Sequence, residues 1–435
     1  MAVSECLVRL LRTRDADFEA AFHALEQRRQ RDAEEVGRAV SEIVDDVRRR
    51  GDDALLDATE RFDGYRLAPA EIVVSSQQMA AGAARLGPED RDALGSAAER
   101  IRAFHSLKLP QSWQQEREGE VLGQLVRPLA SVGLYVPAFK APLASTVLML
   151  GIPAAVAGVP EVVMASPGRE PHPAVLEAAR LAGVTRMLRV GGAQAVAALA
   201  FGTESVSRVD KIMGPGNAYV QAAKRQVFGQ VAIDAEAGPS EVLIVADENA
   251  APAFVAADLM AQAEHDPAAS VVLVTPSEAL AQATLEELAK QISGQPREEI
   301  ARQALAGSSA LIVTRSLEEA MELANRYAAE HLELMLAEPQ RWLERVEHAG
   351  AVFLGAYSPV PLGDYVAGPS HVLPTGGTAR FFSVVGVEDF LKRSSVIGFS
   401  PSAVRRLGPT AVRLAELEGL HAHARAVSLR LERDD

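Results

Sequence analysis

Thiols are nearly absent from this chain: its 435 residues carry one cysteine, Cys6. No intrachain disulfide can form, a usage that fits a reducing compartment. A multi-thiolate metal site is excluded as well, so a metal would rest on histidine, carboxylate or amide ligands. The N-terminus lacks a secretory h-region, because Arg9, Arg12 and Arg14 interrupt its apolar residues. The longest uncharged stretch, 141–160, has the length of a membrane span, but Pro142, Pro153, Pro160, Gly151 and Gly158 break it. It reads as loop, helix and turn in a soluble core. These absences predict a cytoplasmic protein without a membrane partner.

Positive charge is in short supply too. Lys and Arg total 44 against 58 Asp and Glu, and the net charge of -14 argues against a nucleic-acid partner. The basic cluster Arg48-Arg49-Arg50 reads as helix-end solvation. There is no internal repeat, no low-complexity segment and no G-x-G-x-x-G fingerprint. The nearest approach, Gly214-Pro-Gly-Asn217, lacks the third glycine.

What is present is a composition ordinary for a soluble enzyme, 48% hydrophobic and 23% charged, on a chain long enough for two or three domains. Residues 18–30, 32–50 and 88–107 show helical spacing, with a short extended piece at 71–75. Beyond 120, apolar strands are predicted at 132–136, 161–165, 187–190 and 211–213, with helices at 144–157, 173–183, 193–201 and 217–228. A second series follows, with strands at 241–246, 270–275, 310–314, 332–336 and 351–354 and helices at 251–264, 277–293 and 316–328. Strands alternating with helices imply parallel sheets covered on both faces, here two of them. The fold class predicted is α/β: two Rossmann-like parallel-sheet domains with a helical N-terminal segment and a helical C-terminal tail. The boundaries are 1–26 for the N-terminal segment and 27–134 with 242–385 for the larger domain. Residues 135–241 form the smaller domain and 386–435 the tail.

The chain has nine histidines, and the later ones fall into clusters with other polar residues. Glu330-His331 sits where a helical pattern, Leu317 to Tyr327, gives way to a strand-like run. A carboxylate and an imidazole held at an element end can divide proton transfer between them. Gln262 and His265, three apart at a helix end, share one face and could ligate one metal; a solvated helix end is the bland alternative. Asp364 and His371 lie in a Gly- and Pro-rich loop, where turn chemistry rivals ligation. In the tail, helical spacing alone pairs Glu418 with His421, and His423 follows. Three glycine loops, Gly191-Gly-Ala-Gln194, Gly214-Pro-Gly-Asn217 and Gly238-Pro-Ser240-Glu241, could seat anions or simply make tight turns.

These clusters, in this order, resemble the histidinol dehydrogenase family over nearly the whole chain. The most specific pieces are Val190-Gly-Gly-Ala-Gln-Ala195, Asp210-Lys-Ile-Met-Gly-Pro-Gly-Asn217, Ala237-Gly-Pro-Ser-Glu-Val242, Gln262-Ala-Glu-His265, Glu330-His331-Leu332 and Gly368-Pro-Ser-His-Val-Leu-Pro374. The resemblance implies an intertwined homodimer with one zinc per subunit, oxidising L-histidinol to L-histidine with two NAD. It implies Gln262, His265, Asp364 and His423 as zinc ligands, selecting His423 over His421, with the tail reaching the partner subunit. Glu330 and His331 would be catalytic. The ligand residues, Ser240, His331, His371 and Glu418 would contact substrate, and Tyr135, Gln194 and Asn217 would contact NAD. In one departure, Ala138-Phe139 stands where the family usually has Gly-Gly, which implies an altered NAD loop. Rival readings are a paralogous zinc and NAD dehydrogenase of another small alcohol, such as a sulfonated diol, a zinc hydrolase, or a non-catalytic metal-binding protein.

Overall fold

A computed structural model describes residues 7–27, 33–138, 142–236 and 238–433, so Cys6 and Phe139 lie outside the described residues. Contacts divide the chain into two compact units, Met1–Leu107 with Ala130–Asp389, and Lys108–Leu129 with Phe390–Asp435.

The first unit contains two six-stranded sheets. One runs in the order Arg9–Arg12, Ala310–Val313, Ser270–Thr275, Glu241–Ala246, His331–Met335, Ala351–Leu354, parallel throughout. Side chains alternate across it. Val242, Ile244 and Met335 pack against Val255, Ala256 and Leu259 of the helix Pro252–Ala263. Leu243, Val245, Leu332 and Leu334 pack against Ala320, Met321 and Ala324 of the helix Leu317–Tyr327 on the opposite face. Burial on both faces explains why these strands read as unbroken apolar runs rather than as alternation.

The other sheet runs Val73–Ser75, Arg186–Leu188, Glu161–Ala165, Ser131–Tyr135, Lys211–Met213, Ala232–Ile233. Only its first pair is antiparallel. The helix Gly192–Phe201 lies against it with Ala195, Ala197, Ala198 and Ala200 all buried, small residues that let backbones approach closely.

All nine strands predicted from about residue 132 onward are present within two residues, and the extended piece at 71–75 is the antiparallel edge strand. Strands Arg9–Arg12 and Ala232–Ile233 were not expected. Both lie at sheet edges, where a strand needs no continuous apolar run.

The second unit is an antiparallel sheet, Leu391–Phe399 beside Glu120–Pro128 beside Trp113–Arg117, followed by the helices Pro401–Leu417 and His421–Leu431. Glu118 and Gly119, at φ 53° and 78°, make the tight turn between two of its strands. The tail therefore opens with a single 3-10 turn, Val387–Phe390, and a nine-residue strand, and turns α-helical only at Pro401. That strand is largely exposed, so no buried face imposes a period of two on its sequence. No described helix is long and apolar enough to cross a membrane.

Candidate active site

The Glu330-His331 pair stands where the sequence placed it, between the helix Leu317–Tyr327 and the strand His331–Met335. His331 is paired in register with Val242 of the neighbouring strand, which brings both members of the pair to Glu241. Glu330 Oε2 accepts the Glu241 N–H at 2.7 Å. His331 Nδ1 lies 2.8 Å from the Glu241 carbonyl oxygen. A carbonyl only accepts, so Nδ1 carries the proton, and in the neutral ring Nε2 keeps its lone pair. Among the described residues no group hydrogen-bonds that Nε2, and Asp364 Oδ1 is 3.9 Å away. One backbone unit thus fixes both the carboxylate and the tautomer of the imidazole.

Asp364 belongs to a one-turn π-helical segment, Gly363–Ala367. Such turns aim a side chain that a regular helix would direct elsewhere. The segment closes on Gly368 at φ 117°, where a Cβ would stand 2.9 Å from Phe104 Cβ, so only glycine fits. His371 folds back onto the same turn: its Nδ1–H donates to the Asp364 carbonyl at 3.0 Å. The Thr146 hydroxyl lies 3.2 Å from His371 Nε2 and donates to it. Turn chemistry and ligation were rival readings of this loop; the backbone of Asp364 is used in the turn while its carboxylate stays available.

Burial dominates the electrostatics. It pushes Asp364 up to about 7 and Glu330 well above the usual carboxylate range. His331 and His371 are both pushed down to about 4 by burial, and each is also disfavoured as a cation by the nearby His265. His265, at the end of the helix bearing Gln262, is itself shifted down by the surrounding protein although its residue is exposed. His331 is therefore neutral at pH 7 and able to accept a proton, and Glu330 holds a proton more readily than an ordinary glutamate. The neutral-pH imidazole expected at this position is shifted by its surroundings. A cavity of about 370 Å³ opens beside these groups, lined by His331, Asp364, His371, Ser370, Arg100 and Phe353.

Gln262 is 2% exposed, and its Nε2 has no partner. Ser240 directly precedes the strand Glu241–Ala246, at the same sheet edge as His331. Glu418 and His423 lie in the second unit, exposed, at the end of Pro401–Leu417 and in the first turn of His421–Leu431 respectively. Among the described residues, no group of three or more His, Cys, Asp or Glu is close enough to hold a metal. The first unit offers Gln262, His265 and Asp364 as donors of nitrogen and oxygen, a set that fits zinc in kind.

The predicted cofactor residues lie at the other sheet. Tyr135 ends the strand Ser131–Tyr135, and its hydroxyl accepts the Gly192 N–H at 3.0 Å. Gln194 is 1% exposed, with Nε2 unpartnered. Asn217 caps the helix Ala218–Val227, its Oδ1 taking the Val220 N–H at 3.1 Å, so that oxygen already has a structural task. Gly214 takes φ 119°, and a Cβ there would lie 2.2 Å from the Tyr135 carbonyl oxygen. The Gly214 N–H donates to Asp234 at 2.6 Å and its carbonyl accepts from Lys224 at 3.0 Å; Lys224 and Asp234 form a buried ion pair. The sequence reading missed this clamp, as it missed Thr146 and the role of the Glu241 backbone. Lys224 shows no sequence signal, whereas Glu241 lay where a glycine loop meets a predicted strand, a position that says nothing of its backbone partners.

The class this arrangement defines is a two-sheet α/β enzyme, with a buried acid–base pair at one sheet and glycine loops at the other. The chain belongs to the histidinol dehydrogenase family, whose sequence profile matches residues 26–431. It is 50% identical to the histidinol dehydrogenase of Syntrophotalea carbinolica over 98% of this chain and 100% of that one. It is also 50% identical to that of Aquifex aeolicus, over 91% and 93% of the two chains. The crystal structure of histidinol dehydrogenase from Elizabethkingia anophelis superposes with a TM-score of 0.92 at 38% identity, covering 98% of each chain. The chain is a dehydrogenase, and the two-sheet α/β architecture read from the sequence is that of its family.

Proposed function

We propose that this protein oxidises L-histidinol to L-histidine through the aldehyde, using two NAD and one zinc per subunit in a cytoplasmic homodimer. Gln262, His265 and Asp364, with His423 of the tail, would hold zinc; when bound, it would fix the imidazole and amino nitrogens of the substrate and so orient the carbon that loses hydride. The observation carrying the reading is the lone pair on His331 Nε2, set by the Glu241 carbonyl and unclaimed by any group among the described residues.

In the first oxidation, His331 Nε2 accepts the alcohol proton; NAD, when bound, would supply the hydride acceptor for both oxidations. In the second, Glu330 takes a proton from water as the water oxygen bonds to the aldehyde carbon, leaving a gem-diolate. Ser240, His371 and Glu418 would contact the substrate, with Tyr135, Gln194 and Asn217 facing NAD. Residues 135–241 would be the NAD side, 27–134 with 242–385 would carry the catalytic pair, and 386–435 would reach the partner subunit.

The test is NADH absorbance on mixing purified protein, histidinol and NAD. The expected result is two NADH per histidine formed, loss of activity with a chelator, and recovery with zinc. NADH formed from a sulfonated diol but not from histidinol would transfer the assignment to a paralogous dehydrogenase.

A further inference from the structure

Two hydroxyls that take no part in the steps above fasten the loop of His371 to the helix Ala144–Ala157. Thr146 Oγ1 lies 3.2 Å from His371 Nε2, and Ser370 Oγ donates to the Met149 carbonyl at 3.2 Å. Thr146 and Met149 are three apart, so they share one face of the helix. Thr146, Met149 and Ser370 are all buried. The Met149 carbonyl is open to Ser370 for a reason written in the sequence. Its helical partner would be the N–H of residue 153, and residue 153 is proline.

The imidazole at this junction has no nitrogen to spare. Its Nδ1–H is committed to the Asp364 carbonyl at 3.0 Å, so in the neutral ring Nε2 is an acceptor, and the Thr146 hydroxyl fills it. Only ring carbons are left to face the cavity that His371 lines. The same π-helical turn is held a second time, where Arg100 Nε donates to the Val366 carbonyl. Two carbonyls of a five-residue turn are thus pinned by side chains from outside it. Arg100 is exposed, whereas the His371 side chain retains 15% exposure and is itself braced from behind by Thr146.

We propose that Thr146 is a positioning residue for Asp364: its hydroxyl fixes the His371 ring, and the ring holds the turn that carries the zinc-donating carboxylate. Thr146 touches neither substrate nor metal. It stands in the first turn of the helix that follows the strand Ser131–Tyr135, so the chain of contacts steadying the metal side begins on the cofactor side.

This inference rests on the functional reading above, and the experiment separates the two. Thr146→Val keeps the branched shape and deletes the donor; Thr146→Ser keeps the donor. Zinc affinity is measured by chelator competition, and kcat and KM for histidinol with saturating NAD, for wild type, both variants, His371→Asn and Thr146→Val/His371→Asn. For Thr146→Val the expected result is a melting temperature near wild type, zinc affinity down by about tenfold, and a fall in kcat larger than any rise in KM. Thr146→Ser should stay within about threefold of wild type, on the scale of a retained hydrogen bond. In the His371→Asn background, Thr146→Val should change neither quantity by more than about twofold, because the nitrogen it serves is gone. Wild-type zinc affinity and kcat in Thr146→Val would overturn the proposal. Equal damage from Ser and Val, full additivity with His371→Asn, or failure of Thr146→Val to fold would do the same. A wild type that neither binds zinc nor oxidises histidinol would instead sink the functional reading, and this inference with it.

Discussion

The two sheets of the first unit put their functional groups at opposite ends of their strands. In the sheet built on Ser131–Tyr135, Tyr135 and the loop Gly214–Asn217 follow the carboxyl ends of the two adjacent strands where the chain reverses its direction of travel. That is where an open α/β sheet ordinarily binds its ligand. In the sheet built on Glu241–Ala246, the strand order also reverses beside His331–Met335. Yet Ser240, Glu330 and His331 stand at the amino ends, joined there by the carboxyl end of the helix that carries Gln262. The first sheet presents backbone N–H groups and glycines, which suit a cofactor held by its shape. The second presents side chains held by backbone, which suits proton transfer. On the proposed function, similar architecture with opposite polarity would separate binding from chemistry.

The comparison breaks most visibly at Glu330. Glu330→Gln should slow oxidation of added histidinal by about a hundredfold or more, in the range for loss of a general base. Oxidation of histidinol to the aldehyde should slow much less. Equal losses in the two half-reactions, resolved by stopped-flow NADH formation, would remove the division of labour between Glu330 and His331.

A smaller effect is expected at the opposite sheet. Gly214→Ala forces a methyl against the Tyr135 carbonyl and requires alanine at φ 119°. The expected outcome is a rise in KM for NAD of about tenfold, with the histidinol KM little changed, since one strained residue costs on the order of 1–3 kcal/mol. Steady-state kinetics varying each substrate in turn would check this; a change confined to histidinol would show that the two ends are not separate.

A last effect, on stability and not on turnover, concerns behaviour in acid. His331 and His371 have folded values depressed to about 4 from an ordinary 6.5. The fold favours their neutral forms, so the contribution of each is present above pH 6.5 and is lost as pH falls towards 4. Each is worth on the order of 3 kcal/mol at most. Asp364, raised to about 7, runs the other way: its contribution is present below about pH 4 and fades as pH rises to 7. Melting curves of chelated protein should therefore show a loss of stability between pH 6.5 and 4 that His371→Asn reduces. An unchanged slope in that variant would mean that the ring is hydrated in solution.

Much of this was legible in the sequence because each strand in the sheet interiors is buried on both faces. Runs such as Glu241–Ala246 and Ser270–Thr275 announce themselves by continuous apolarity. The Glu330-His331 pair was legible as a helix-to-strand junction. What stayed hidden was chemistry made by distant backbone. Nothing around Thr146 foretells a hydroxyl against His371, 225 residues away. The depressed value of His331 is a property of its burial, which spacing does not reveal. The strand Leu391–Phe399 was missed because its exposed faces leave the pattern unconstrained.

The nitrogen proposed to meet substrate is, in effect, selected by a β-ladder. His331 points its protonated side at Glu241 only because the strands carrying them are aligned as Val242 with His331. Slipping that alignment by a single step would turn the ring to the other face of the sheet and take Glu330 away from its anchoring amide. Substitutions deep in these two strands, remote from any ligand, would then register first as lost turnover rather than as unfolding.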